Sequence, residues 1–164
     1  MNIRDVELTD SKVISEIYNH YIKSTFISFE EEAISEIEMA KRINGTRGNG
    51  LPWLVMEIDD VVVGYAYASA WKARSAYRYT VESSVYLSHE YVEKGLGSML
   101  YGSLLERLKL EQYCNVIGSI ALPNASSIRL HERLGFKKVG EFAGIGLKFG
   151  EKRSVGYWQL ELNE

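Results

Sequence analysis

One stretch constrains the fold of this chain more than any other: Thr80 to Leu100, T-V-E-S-S-V-Y-L-S-H-E-Y-V-E-K-G-L-G-S-M-L. It begins with alternating residues of high strand propensity and continues through a short polar segment. It then reaches Gly95 and Gly97, which stand ahead of an apolar pattern with helical period. A strand, a glycine turn and a helix N-terminus in that order form a seat for phosphate groups.

The rest of the chain supplies strands interspersed with helices. The order predicted is strand, two helices, three strands, helix, strand, helix and two strands, which indicates an α/β or mixed α+β sheet with helices on both faces. The helix after Gly95 is predicted as a crossover between neighbouring parallel strands. Two glycine-containing segments, 44–50 and 144–153, are predicted as loops. The predicted strands are 2–7, 53–58, 61–71, 79–87, 116–122, 136–142 and 155–162, and the predicted helices are 13–22, 35–43, 95–111 and 126–134.

Length and charge narrow the class of protein. A length of 164 residues is typical of one domain, here 1–164. The net charge of −3, with acids and bases interspersed, argues against a nucleic-acid partner. Cys114 is the single cysteine, so a disulfide within the chain and a metal site of several thiolates are excluded, and no metal is predicted. The N-terminus lacks a signal-peptide pattern and the run 61–71 is too short to span a bilayer, so we expect no membrane association and a cytoplasmic location.

The glycine pair by itself leaves more than one interpretation open. The chain has no G-x-x-x-x-G-K-[ST], so a P-loop nucleotidase is not favoured. A dinucleotide-binding fold needs a third glycine at position 100, where Leu100 stands, and an acid after the next strand, where Pro123 and Asn124 stand. A phosphate-binding turn and a tightly packed helix start both remain at this point.

A set of segments taken together resembles the GNAT superfamily of N-acetyltransferases and, within it, the phosphinothricin N-acetyltransferases. They are P-W-L-V-M-E, V-G-Y-A-Y-A, W-K-A-R-S-A-Y, T-V-E-S-S-V-Y-L-S, G-L-G-S-M-L-Y, L-P-N-A-S-S-I-R-L-H-E-R-L-G-F, G-L-K-F-G and V-G-Y-W-Q. The resemblance covers nearly the whole chain. It implies the GNAT fold, with a mixed, mostly antiparallel sheet of about seven strands and helices on both faces.

The same resemblance implies the chemistry. The co-substrate would be acetyl-CoA, and the acceptor would be the primary amine of a small amino acid such as phosphinothricin, methionine sulfone or methionine sulfoximine. The amine would attack directly in a ternary complex, and the enzyme would be a homodimer. Two other hypotheses stay open, namely a non-catalytic acyl-CoA-binding or regulatory module and an acetyltransferase for a different amine.

Cofactor contacts follow from the resemblance residue by residue. The backbone of Val85, Tyr86 and Leu87 would pair with the amides of the pantetheine arm, as one strand edge pairs with another. Turn residues would present N–H groups to the pyrophosphate with the help of the helix dipole. These turn residues are Lys94, Gly95, Leu96, Gly97 and Ser98. Asn124 and Ser127 would hydrogen-bond the pantetheine or its pyrophosphate end.

The chain departs from the family pattern just before the glycines. Val92 stands where glutamine or arginine is usual, and Glu93 is acidic where a basic residue or glycine is common. Both changes remove favourable interactions from a phosphate site. They predict weaker cofactor binding, and they are the features that favour the non-catalytic module.

Two residues carry the predicted chemistry, Glu82 and His131. Glu82 alone reads as an outward-facing strand residue, but the resemblance makes it the general base that takes the proton of the acceptor ammonium, directly or through one water. His131 occupies the place where many GNAT enzymes have a tyrosine that protonates the departing thiolate. It would serve as that acid or hydrogen-bond beside the sulfur, while a structural role is the alternative.

The predicted acceptor site lies after the third strand. Lys72, Arg74, Tyr77 and Arg78 cluster there, and the resemblance implies that this region binds the carboxylate and the anionic end of the acceptor. The planar fork of arginine suits such groups. Phe29, in the loop 24–31, would form one wall of the pocket. A solvated rim is the alternative for the basic residues.

Overall fold

Seven strands form one sheet in the computed structural model, which describes residues 1–92 and 95–162, and their order is β1-β2-β3-β4-β5-β7-β6. Within these residues β4 and β5 are parallel, and the other neighbouring strands are antiparallel. The predicted mixed, mostly antiparallel sheet is confirmed. The strands are β1 (Asn2–Asp5), β2 (Trp53–Ile58), β3 (Val61–Ala70), β4 (Thr80–Leu87), β5 (Asn115–Ala121), β6 (Lys137–Lys148) and β7 (Glu151–Glu161).

Helices cover both faces of this sheet, as predicted. They are α1 (Ser11–Ser24), α2 (Glu36–Gly48), α3 (Leu96–Leu110) and α4 (Ala125–Arg133). The first two pack through Ile14 and Ile43 against one face, and α3 packs through Leu100 and Leu104 against the other. None of the helices in 1–92 and 95–162 is long and apolar enough to cross a membrane.

Two of the predicted loops are wrong in the structure. The helix α2 continues through the sequence N-G-T-R-G to Gly48, although 44–50 had the pattern of a loop. Strands β6 and β7 form a long hairpin that turns at Phe149 and Gly150, so the segment 144–153 is mostly strand. Both residues of that turn have positive φ, which allows a tight reversal. The hairpin therefore extends beyond the rest of the sheet and reaches the loop after α1.

Candidate active site

The parallel pairing of β4 with β5 ends in the middle of both strands. Within the described residues the pairs run from Thr80↔Asn115 to Glu82↔Ile117. Beyond them β4 stays paired with β3 as far as Leu87, and β5 stays paired with β7. The two strands therefore separate after Glu82, and the edge of β4 that faces β5 is open to an extended ligand.

A cavity of about 360 Å³ lies where the strands separate. It is bordered by the end of β4, the start of α3 and one face of α4. The predicted cofactor residues that line it are Val85, Tyr86, Leu87, Gly95, Gly97, Ser98, Asn124 and Ser127. The side chain of Leu96 packs against the core beneath α3, and the predicted contact of its backbone N–H group with the cofactor stays a prediction. Lys94 and Glu93 lie outside the described residues.

Several residues of the cavity wall were not found by sequence reasoning. These are Tyr21, Ile27, Ser126, Leu130 and Arg133. The Tyr21 hydroxyl donates a hydrogen bond to the backbone carbonyl of Leu87. Arg133 shares a helix face with Ser127 and Leu130 at a spacing of three, which is the signal that could have placed it. Tyr21 and Ile27 come from a distant part of the chain and have no such signal.

The start of α3 provides groups suited to an anion. Gly95 adopts φ 74° at the N-cap and offers no capping side chain, so the first N–H groups of the helix are left for a ligand. A Cβ at Gly97 would lie 3.7 Å from the side chains of Leu87 and Leu130, so a larger residue there would reach into the cavity wall. The Arg133 guanidinium donates to Ser98 Oγ at 3.4 Å and adds a positive charge. The open edge of β4 can pair with amides, and the N–H groups at the start of α3 together with Arg133 can bind a diphosphate. The arrangement therefore fits a ligand that contains both groups.

Glu82 lies at the last residue pair of the parallel ladder. Its neighbours Val81 and Ser83 point toward α3, where Val81 is in the core and Ser83 Oγ bonds Tyr101 Oη. Because successive side chains of a strand alternate, Glu82 points to the opposite face. Ser119 Oγ, on β5, donates to Glu82 Oε1 at 2.6 Å and orients the carboxylate. The sequence reasoning had not found Ser119.

An aromatic wall adjoins this carboxylate. Tyr157 of β7 pairs in register with Ser119, and its ring meets Trp71 edge-on at 6.1 Å between centroids. Phe142 of β6 also meets the Tyr157 ring edge-on, with 5.7 Å between the centroids. The Lys72 ammonium lies 5.1 Å from the centroid of the Trp71 ring. Lys72 is thus connected to the region of Glu82 through this wall.

The other predicted acceptor residues lie farther out. Arg74 and Tyr77 occupy the exposed turn after β3, and Tyr77 is 44% exposed. Phe29 covers Gly146 of β6, where a Cβ would come within 2.2 Å of its ring. Among the contacts of residues 1–92 and 95–162, none joins these side chains to Glu82. Their role in acceptor binding stays a prediction.

His131 is buried between α4 and β5, outside the cavity lining. Its Nδ1 lies 2.8 Å from the carbonyl oxygen of Ser127, to which it donates. Tyr101 and Phe136 meet the ring edge-on at 5.1 Å and 5.0 Å. Burial lowers the pKa of His131, so the neutral imidazole is favoured. This placement favours the structural alternative, and the acid role stays a prediction.

Comparisons with known proteins agree with this geometry. Residues 3–153 match the family model described as an acetyltransferase (GNAT) domain. The chain is 40% identical over 161 residues to the phosphinothricin N-acetyltransferase of Streptomyces viridochromogenes, covering 98% of this chain and 87% of that protein. It is 34% identical over 164 residues to the L-methionine sulfoximine/L-methionine sulfone acetyltransferase of Salmonella typhimurium, covering 100% and 96%. The structure of a GNAT superfamily phosphinothricin acetyltransferase from Sinorhizobium meliloti in complex with acetyl-CoA matches with a TM-score of 0.96 at 38% identity, covering 99% and 89%.

Proposed function

The chain belongs to the GNAT family of acetyltransferases, and from this membership we propose that residues 1–164 form one domain that acetylates the primary amine of a small amino-acid-type acceptor. It is an acetyl-CoA-dependent N-acetyltransferase. The observation that carries the proposal is Glu82, held by Ser119 at the point where β4 and β5 separate. A carboxylate oriented beside a ligand-sized cavity suits proton removal from an amine.

The residues around the cavity fit acetyl-CoA. When bound, it supplies the acetyl group as an activated thioester. The edge of β4 at Val85–Leu87 would pair with the pantetheine amides. The N–H groups at the start of α3 and the Arg133 guanidinium would hold the diphosphate. Asn124 caps α4 through its Oδ1, and its amide N–H₂ group would donate to the ligand.

Glu82 would act on the acceptor rather than on the thioester. An acceptor ammonium has no lone pair, so it must lose a proton before it attacks a carbonyl carbon. Glu82 would accept that proton directly or through one water, while the Ser119 hydroxyl keeps Oε1 in place. Trp71 and Tyr157 would border the acceptor and limit the access of water. The enzyme needs no covalent intermediate, and Cys114 lies outside the cavity lining.

The acceptor class follows from charge and from the relatives. Lys72 lies at the aromatic wall, and Arg74 and Arg78 follow it in the turn after β3, so this cluster of basic residues in the sequence suits a carboxylate with a second anionic or polar end. The relatives named above are a phosphinothricin and a methionine sulfoximine/methionine sulfone acetyltransferase. We propose acceptors of the same kind for this chain. A polycationic amine would be repelled by the same cluster.

A thiol-release assay tests the proposed function. The protein is incubated with acetyl-CoA, a thiol reagent and L-phosphinothricin, L-methionine sulfone or L-methionine sulfoximine, with an aminoglycoside and a peptide N-terminus in parallel. Thiol release with the amino-acid analogues, and not with the aminoglycoside, is the expected result. Binding of CoA without turnover on the whole panel would instead identify a non-catalytic module.

Two substitutions are expected to change acetyl-CoA affinity in opposite directions. Arg133→Gln removes the cation beside Ser98 and should weaken binding about tenfold, whereas Val92→Gln adds a hydrogen-bonding group at the cavity and should tighten it about threefold. Isothermal titration calorimetry measures both. Arg129→Gln, on an exposed part of α4, is the matched control and should change nothing. An unchanged dissociation constant for Val92→Gln would refute the idea that the phosphate side is weakened there.

We also propose that the enzyme is a cytoplasmic homodimer. The dimer is supported by β6, which is an edge strand and exposes large apolar side chains on both faces of the sheet. They are Val139, Phe142, Ile145 and Leu147, which are 58%, 56%, 59% and 66% exposed. A second copy of the chain would cover them beside the aromatic wall of the acceptor site.

Leu147→Glu is expected to convert the dimer to a monomer, because it puts a charge among the exposed apolar side chains of β6. Sedimentation velocity at micromolar concentration measures the change. Leu110→Glu is the control, since Leu110 is 82% exposed at the end of α3, away from those side chains. A wild-type protein that sediments as a monomer would contradict the proposed assembly.

A further inference from the structure

Lys148, at the end of β6, is almost completely buried, with 1% of its surface exposed. Burial of an ammonium is costly unless its donors are used, and burial lowers the pKa of Lys148 against a partial offset from Glu31 and Glu30. Its Nζ donates to the backbone carbonyl oxygens of Thr25 at 2.7 Å and Ser28 at 2.6 Å. A buried cation is thus used to hold two carbonyl groups more than a hundred positions earlier in the chain.

The segment held in this way is the loop 25–31, which follows α1. Within the loop, Ile27 N donates to Thr25 Oγ1 and Glu30 N donates to Ser28 Oγ. Two helices also hold it: Tyr18 Oη of α1 bonds Ser28 Oγ at 2.9 Å, and Arg42 of α2 donates to both carboxylate oxygens of Glu30 at 2.8 and 2.7 Å. These bonds shape the loop and connect it to α1 and α2. In the part of the chain that the structure describes, the hydrogen bonds between this loop and the β6–β7 hairpin are those of Lys148.

The loop 25–31 borders the cavity directly and covers part of the hairpin that carries the aromatic wall. Ile27 lines the cavity assigned to the cofactor. Phe29, two residues later, lies over Gly146 of β6, close to the wall formed by Phe142 and Tyr157. A shift of the loop away from the hairpin would therefore move a wall of each substrate site.

We propose that Lys148 is a positioning residue for acetyl transfer, which sets the place of both the cofactor and the acceptor by holding the loop 25–31 against the β6–β7 hairpin. The proposal rests on the acetyltransferase function proposed above. Lys148 lies outside the cavity lining, and its effect would be carried by Ile27 and Phe29.

The first test removes the ammonium and keeps the length of the side chain. Lys148→Met should raise KM for both acetyl-CoA and the amine about tenfold, since each charge-assisted bond contributes on this order to an equilibrium. The value of kcat should stay within about twofold because Glu82 is untouched. Amide hydrogen exchange should quicken in 25–31. Lys148→Arg, which still donates to carbonyls, should restore most of both KM values, and Lys137→Met, an exposed lysine of β6, is the control.

A second variant moves the loop without touching Lys148. In Gly146→Ala the added Cβ would come within 2.2 Å of the Phe29 ring and displace it, so KM for the amine should rise more than KM for acetyl-CoA. Wild-type KM values and wild-type exchange in Lys148→Met overturn the proposal. If that variant does not fold, wild-type KM values in Gly146→Ala overturn it instead. A wild-type protein without turnover contradicts the proposed function, and the exchange data then decide separately whether Lys148 holds the loop.

Discussion

Glu82→Gln is expected to lower kcat for acetyl transfer by about a hundredfold, which is the lower end of what a positioned general base contributes. Glutamine keeps the size of the side chain and still accepts the hydrogen bond from Ser119, but it is too weak a base to take the proton of an ammonium. The dissociation constant of acetyl-CoA should change little because Glu82 is absent from the cavity lining. Steady-state thiol release and calorimetry measure the two effects.

The controls for Glu82→Gln distinguish the loss of a negative charge from the loss of the proposed base. Glu106→Gln removes one carboxylate from the exposed side of α3 and should leave kcat unchanged. Ser119→Ala keeps the carboxylate and removes the bond that orients it, so kcat should fall by about five- to tenfold. A Glu82→Gln enzyme with the turnover of wild type would show that another group takes the proton, and the proposed base would be wrong.

Gly118→Ala is expected to lower the free energy of unfolding by about 2 kcal/mol, in the range found for overpacked cores. A Cβ at Gly118 would lie 2.6 Å from Nε2 and 2.7 Å from Cδ2 of His131. The imidazole has no room to move, since Ser127 holds its Nδ1 and Tyr101 meets it edge-on. Urea denaturation of the two proteins measures the difference from the midpoint at constant slope.

The matched control for Gly118→Ala is the same substitution on α3. A Cβ at Gly102 would have nothing within 4 Å outside its own helix. Because glycine is a poor helix former, Gly102→Ala should stabilise the protein by about 0.5 to 1 kcal/mol. The two substitutions should therefore differ in sign. A Gly118→Ala protein as stable as wild type would mean that the His131 ring adapts, and its assignment to a fixed structural place would be wrong.

Much of the fold was accessible to sequence reasoning because it depends on local signals. Strand β2 was predicted with its observed bounds, since Asp59 and Asp60 form a two-residue turn with positive φ between two apolar strands. Helix α3 differs from its prediction by one residue at each end, as glycine and an apolar period of 3.6 residues define it. The parallel arrangement of β4 and β5 around α3 followed from the order of these elements.

The end of α2 could not be predicted because distant contacts decide it. Asn44, Gly45 and Gly48 are poor helix formers, and their local preference is for a turn. In the structure Ile43 is fully buried against the sheet. The Arg47 guanidinium also donates to the carbonyl oxygen of Val6 at 3.2 Å. These contacts with residues distant in the sequence outweigh the local preference for a turn.

The parts of the candidate site that lie within one local segment could be predicted from the sequence. The parts that depend on contacts between distant segments could not. The strand edge at Val85–Leu87 and the turn at Gly95 follow from their place in the chain. By contrast, Tyr21 and Ile27 reach the cavity only because the end of α1 lies against β4 and the loop after it lies against the hairpin. Ser119 meets Glu82 because β5 lies beside β4, a contact between side chains that no spacing in the sequence encodes.

The separation of β4 from β5 also affects the balance between the stability of this protein and its activity. A ladder continued from Glu82↔Ile117 to the ends of both strands would add backbone hydrogen bonds and a longer, firmer sheet. It would also close the edge of β4 that is proposed to bind the pantetheine arm. Selection for thermal stability alone would therefore favour substitutions that bring the two strands together. Such selection would yield a protein that is more stable but has lost its activity.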